Sequence, residues 1–242
     1  MHKSLIALAA GLAATACAAA ELCSVHTGSQ RTTVVELYTS EGCSSCPPAD
    51  RWLSSLRPGQ GTVALAFHVD YWDRLGWVDR FASPRHTQRQ YQRQQASGAR
   101  FVYTPQVLLD GRDWRGWPAT PPRSTVPAEV SVGLQRIGTE AVARVAPHAG
   151  AAVPEQLSGY WAVVEDGLVS RVKAGENAGA TLRHDHVVRH YEPLVPWPAG
   201  QARQLRWPWP SAGRGQRVVL VVTDAATGLP LQAAELACDA VN

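Results

Sequence analysis

The feature that most constrains this chain is the run ELYTSEGCSSCPPAD over 36–50, which sets two cysteines between an apolar, β-branched stretch and the start of a helix. TVVELY over 33–38 ends at Thr39, Ser40 and Gly42 and reads as a buried strand. Ala49, Trp52, Leu53 and Leu56 then recur at helical spacing until Arg57-Pro58-Gly59 stops them. Cys43 therefore stands at the mouth of a strand-to-helix turn, and Cys46 in the first helical turn. Unpaired N–H groups and the positive end of the helix dipole favour a thiolate there, and the thiolate is the nucleophile of disulfide exchange. Cys43, one turn earlier and less buried, is the expected attacking residue. Cys46 is the expected resolving residue, which closes the intramolecular bond and releases a mixed-disulfide partner. Pro47 and Pro48 fit because N–H groups of a first turn have no helical partner to lose.

The N-terminus points to an oxidising compartment. Residues 1–20 have a basic start at His2 and Lys3, an apolar run from Leu5 to Ala14, and small residues at Ala18 and Ala20. This pattern predicts an export signal cleaved before Glu21, with a run too short to span a bilayer, so a periplasmic or secreted protein is expected. A lipid-modified Cys17 is the alternative. Cleavage leaves Cys23, Cys43, Cys46 and Cys238, an even number. With Cys43 and Cys46 forming one pair, Cys23 and Cys238 become natural partners in a structural disulfide, worth roughly 5 kcal/mol in the chain-entropy account. Two free thiols remain the other possibility. No later stretch predicts a membrane span. The net charge of +3, with Lys3 and Lys173 the only lysines, gives no indication of a nucleic-acid partner.

Past the motif, Thr62–Val69 reads as a second strand, followed by an aromatic loop over 70–81. Ser83-Pro84 opens a helix running through Gln95 before Gly98. Gln106–Leu109 is a short strand turning at Asp110-Gly111. Prolines 118, 121, 122 and 127 then mark a linker over 116–127. Beyond it, strands are expected at Val130–Arg136, Ala141–Val145, Tyr160–Glu165, turning at Asp166-Gly167 into Leu168–Val172, and at Val187–Tyr191, Gln204–Trp207, Arg217–Thr223 and Leu231–Leu236. The expectation is an α/β domain over 21–115 and an all-β, sandwich-like domain over 128–242.

In Val102-Tyr103-Thr104-Pro105-Gln106, a Thr-Pro dipeptide sits directly before a strand. Here the chain resembles the thioredoxin superfamily, in which a cis proline lies against the Cys-x-x-Cys motif and leaves a backbone edge for a substrate peptide. The resemblance implies that role for Thr104 and Pro105. It also implies that Glu36, in the strand leading to the motif, accepts a proton from the resolving thiol; a glutamate at a sheet edge is the alternative. Together, VVELYTSEGCSSCPPAD, AFHVDYWDRLGWVDRFASPRHTQRQ, FVYTPQVLLDG and GENAGATLRHDHVVRHYEPL resemble the secreted bacterial family catalogued as domain of unknown function 1223. That resemblance implies a thioredoxin-like N-terminal part but no established reaction. The chain departs from the thioredoxin pattern where the proline-rich segment replaces a closing helix.

These residues lead to an exported thiol-disulfide oxidoreductase or redox-linked accessory protein acting on protein thiols or disulfides, with no organic cofactor. Two alternatives use the same cysteines. Cys43, Cys46 and His68 could bind Cu(I), or the cysteines could form a permanent disulfide in a non-catalytic binding module. A closed zinc site lacks ligands. His68 and Asp70 alternate toward one side and line the redox cleft with Tyr71, Trp72 and Trp77, or else lie beneath an aromatic loop. Arg85, Arg89 and Arg93 recur at four-residue steps and read as a solvated helix face. His184, His186 and His190 read as surface or structural histidines rather than metal ligands. No phosphate loop, nucleophile elbow or carboxylate pair points to a kinase, hydrolase or glycosidase.

Overall fold

The computed structural model describes residues 23–57, 59, 61–209 and 215–238. The export signal and Cys17 lie outside the described residues.

The first β-rich segment is β1 (Ser24–His26), β2 (Thr33–Thr39), helix α1 (Pro47–Ser54) and β3 (Thr62–His68). A 3₁₀ turn over Asp73–Leu75 and helix α2 (Pro84–Ser97) follow, then the hairpin β4 (Gln106–Leu109) and β5 (Arg112–Asp113). The remainder is strand: β6 (Val130–Ile137), β7 (Glu140–Pro147), β8 (Gln156–Glu165), β9 (Leu168–Arg171), β10 (Thr181–His184), β11 (Val187–Pro198), β12 (Arg203–Pro208), β13 (Gln216–Asp224) and β14 (Pro230–Leu236).

This architecture corrects the expected fold class. The chain does not build an α/β thioredoxin-like domain followed by a separate all-β sandwich. One eight-stranded sheet, in the order β14-β13-β8-β11-β3-β2-β4-β5, takes strands from both sides of the 116–127 segment. The join is β11 against β3, parallel, with Val187 opposite Ala66. A four-stranded sheet, β1-β6-β7-β12, stacks on the β14–β11 half through Val132, Leu134, Trp161, Trp197 and Leu220. Helices are the minority, and the β-rich character of the chain follows from the wide mixed sheet that binds its two halves.

Alternation along β2 sorts the layers. Val35 and Leu37 meet Ala49, Trp52 and Leu53 of α1, while Val34 and Tyr38 meet Phe67 and Tyr160 on the opposite face. Where a closing helix was missing in sequence, Trp114 and Trp117 pack against Trp52, whose indole N–H donates to Ala119 O at 3.1 Å. Asp110 (φ 48) and Gly111 (φ 77) make the expected tight turn, both in the left-handed region.

Several local expectations fail for tertiary reasons. Leu168–Arg171 does not fold back on β8 but pairs with β10, because Asp166 is committed elsewhere: its carboxylate accepts from His186 N at 2.7 Å and pairs with Arg217. Strand β11 continues through Pro193, Pro196 and Pro198, with register irregularities beside β8. Of the three α2 arginines, only Arg85 is on a solvated face. Arg89 is buried in an ion pair with Glu36, Arg93 donates to Gly111 O and Thr227 O, and Arg85 reaches Glu192. His184 and His186 are buried, not on the surface.

Cys23 and Cys238 are bonded, with Cα atoms 5.8 Å apart and a sequence separation of 215. The bond ties the end of β14 to the start of β1. A Cys23→Ser/Cys238→Ser variant is expected to lose about 2–5 kcal/mol of stability, read from the denaturant midpoint; an unchanged midpoint would show that the two ends are held without it.

Candidate functional site

The Cys43–Cys46 disulfide sits at the C-terminal ends of β2 and β3, with Cys46 as the cap residue of α1 and Pro47 at its first position. The Cys46 carbonyl accepts from Ala49 N and Asp50 N at 2.9 and 3.1 Å. The register that pairs Gln106 with Tyr38 sets Thr104-Pro105, joined by a cis peptide bond, beside the end of β2. Trp72 links the two segments: its indole N–H donates to Thr104 Oγ1 at 2.8 Å, and a Cβ on Gly42 would meet its own Cβ at 3.0 Å. Gly42 is what allows the aromatic loop to lie on the cysteine turn. The structure thus brings Cys43, Cys46, Thr104 and Pro105 to one edge.

Two sequence-based placements are corrected. Cys43 is not the exposed member of the pair, since both cysteines have no accessible surface. Glu36 is not brought to the dithiol. It faces the side of the sheet away from α1, where it pairs with Arg89 and accepts from Tyr160 Oη at 2.6 Å.

The loop 172–180 between β9 and β10 is fastened to the cysteine turn. Asn177 Nδ2 donates to both Glu41 O and Cys43 O, at 2.9 and 3.0 Å, and Glu176 accepts from Ser44 N at 3.0 Å. Gly175 approaches Trp77, and Val172 N closes the base of the loop on Ala180 O at 2.9 Å. This lid is the GENAG stretch, whose residues carried the family resemblance without suggesting a task.

A buried group of ionisable side chains gathers where β2, β3, α1, β10 and the aromatic loop meet. His68 Nδ1 is 2.6 Å from Asp79 Oδ2, and both side chains are fully buried. Burial works against a charged His68, but the Asp79 carboxylate raises its pKa above the usual histidine value. Asp79 is itself held down to about 2, because the His68 charge and backbone donors from Glu41 and Phe81 outweigh its burial. His184 lies between two acids, with Nε2 3.3 Å from Glu41 Oε1 and Nδ1 4.0 Å from Asp50 Oδ2. Burial pushes Glu41 up, yet His184, Ser170 and the Trp77 indole keep its pKa below the usual range. Asp50 accepts from Thr39 Oγ1 at 2.7 Å, and burial raises its pKa. Both ring nitrogens of His184, Nε2 of His68 and Oε1 of Glu41 have no aligned hydrogen-bond partner. Sequence reasoning missed Asp50, Glu41 and Asp79. Asp50 is four residues after Cys46, a spacing that puts both on one helix face, but an acid in a first turn also reads as a plain complement to the helix dipole.

The geometry does not assemble the Cu(I) set. His68 turns Nδ1 to Asp79, and among the described residues no three His, Cys, Asp or Glu side chains are placed to hold a metal ion. Nor, among them, is any helix long and apolar enough to cross a membrane.

The family model described as protein of unknown function (DUF1223) matches residues 34–223. The chain belongs to this family. As a DUF1223 protein it is similar in structure to protein AGR_C_4864 from Agrobacterium tumefaciens, with a TM-score of 0.67 and 24% identity over 89% of this chain and 98% of that one. It is also similar to HBP35 of Porphyromonas gingivalis, with a TM-score of 0.61 and 15% identity over 88% of this chain and 77% of that one. At these identities the likeness is one of fold. No curated protein matches the DUF1223 chain.

Two measurements probe this architecture. Replacing Asn177 by Ala removes two hydrogen bonds from the lid, worth about 0.5–1.5 kcal/mol each, and should speed reduction of Cys43–Cys46 by a small thiol on the order of tenfold; an unchanged rate would mean that the loop does not limit access. His86, buried against the His68 carbonyl with Nδ1 3.0 Å away, is depressed by burial to about 4 from its ordinary 6.5. Its contribution to stability is therefore complete above 6.5 and is lost as pH falls through 4, a difference on the order of 3 kcal/mol. Urea titrations across that interval should give a shallower decline for His86→Gln than for the parent, and equal slopes would refute the assignment.

Proposed function

We propose that this protein is an exported thiol-disulfide exchange protein, periplasmic or secreted, whose Cys43–Cys46 bond exchanges with protein cysteines once the 172–180 loop lifts. The observation that carries this reading is the company the disulfide keeps. A bond serving only as a staple is adequately housed in apolar packing, whereas this one lies at a helix start beside buried acids and histidines with unspent hydrogen-bonding capacity. The cis Thr104-Pro105 segment at the same edge supplies a backbone against which an extended peptide can align.

In the exchange, a substrate thiolate attacks Cys43 Sγ, the Cys43–Cys46 bond breaks, and Cys46 leaves as a thiolate. A second substrate thiolate then attacks its own partner sulfur in the mixed disulfide and displaces Cys43. The substrate is oxidised and the protein reduced; the reverse sequence reduces a substrate disulfide. Full burial of both sulfurs favours a second reading, a non-catalytic module with a permanent bond.

Trapping separates the two. Cys46→Ser should accumulate mixed disulfides with cysteine-containing proteins of the same compartment, and Cys43→Ser should abolish exchange with a reduced test protein. Variants that behave as the parent, or a parent that exchanges with nothing, would leave the permanent bond as the better account.

A further inference from the structure

We propose that Asp50 is the proton donor and acceptor for Cys46 and that it trades this proton with solvent through His184, by a route separate from the lid. The proposal rests on the exchange reading above. Thiolate released at Cys46 is buried, and an unpaired charge there is costly, so a proton must reach it as the bond opens. The proton side of the site has to lie within the protein.

Asp50 is the acid best placed to supply it. One turn separates it from Cys46, a spacing at which Cβ atoms on one helix face stand about 5–6 Å apart. Glu36, the alternative acid, points to the other side of the sheet and is spent on Arg89. The groups around Asp50 are Thr39 from β2, His68 from β3, Asp79 from the aromatic loop, His184 from β10, and Arg51 and Arg183, which line the same cavity. Burial favours the protonated carboxyl over the charged one, and His68 and His184 oppose that preference.

A way out exists on this side. A cavity of about 150 Å³ is lined by Pro47, Asp50 and Arg51 of α1 and by Thr181, Leu182, Arg183 and His184 of β10. It opens between α1 and β10, whereas the lid lies over Ser44 and the Cys43 carbonyl. His184 is 2% exposed with both ring nitrogens lacking an aligned partner, one near Asp50 and one near Glu41. A neutral imidazole can accept at one nitrogen and donate from the other, which is what a relay requires. When Cys46 departs as a thiolate it takes the Asp50 carboxyl proton, and the carboxylate is reprotonated from water by way of His184. In the reverse direction the carboxylate takes the Cys46 thiol proton, and the thiolate attacks Cys43 of the mixed disulfide.

The test is single-turnover reduction by dithiothreitol across pH 5–9 (about that span brackets the ordinary His and Cys values) for the parent, Asp50→Asn, His184→Gln and Asn177→Ala. Asp50→Asn should slow bond opening at neutral pH on the order of tenfold and remove an inflection that the parent shows. His184→Gln should slow it less with the inflection displaced. Asn177→Ala should change the rate while keeping the parental pH profile. An Asp50→Asn profile and rate equal to the parent's overturn the relay while leaving exchange intact. A parent whose bond does not exchange overturns the redox reading and the relay with it. Should Asp50→Asn fail to fold, carboxyl carbon NMR of the parent decides: the Asp50 titration should shift between oxidised and reduced protein, and an identical titration overturns the proposal.

Discussion

The strand Thr33–Thr39 is buried along its whole length, so each of its faces must be covered and each side chain is committed to one cover or the other. Odd positions look toward α1, even positions toward α2, and the parallel pairing of Thr39 with His68 ends both strands at the same level. The cysteine turn, the aromatic loop and the Thr104-Pro105 segment all start from that level. Reversing the phase of this strand by one residue would exchange Glu36 for Leu37 beneath α1 and separate Thr39 from Asp50. The site is therefore an outcome of the sheet, with few parts that could be assembled without it.

Local chemistry made much of this legible. The helix start at Cys46-Pro47-Pro48, the cap Ser83 before Pro84, and the turn at Asp110-Gly111 are written in residues that act within four positions of themselves. Most strands beyond 128 were readable for the same reason, through alternation, but β10 was not among them. What sequence could not show was which strands share a sheet. β11 lies 119 or more positions beyond the parallel partner β3, and that pairing converts two expected domains into one continuous layer.

The site divides in the same way. Cys43 and Cys46 were legible from their spacing at a helix start, and Thr104 and Pro105 only through the family resemblance. The role expected of Glu36 failed on the face it occupies, and face depends on where α1 packs rather than on distance in sequence. The contact of Asn177 with the Cys43 carbonyl spans 134 positions of sequence. Asp50 and His184 read in sequence as a first-turn acid and a structural histidine, and only the fold brings the two together.

The reduction potential of Cys43–Cys46 in the intact, lidded protein tests the central claim most directly. Exchange proteins span roughly −270 to −120 mV, and a value in that interval is expected here. A potential below about −300 mV, where structural disulfides lie, would contradict the account and make the bond a staple.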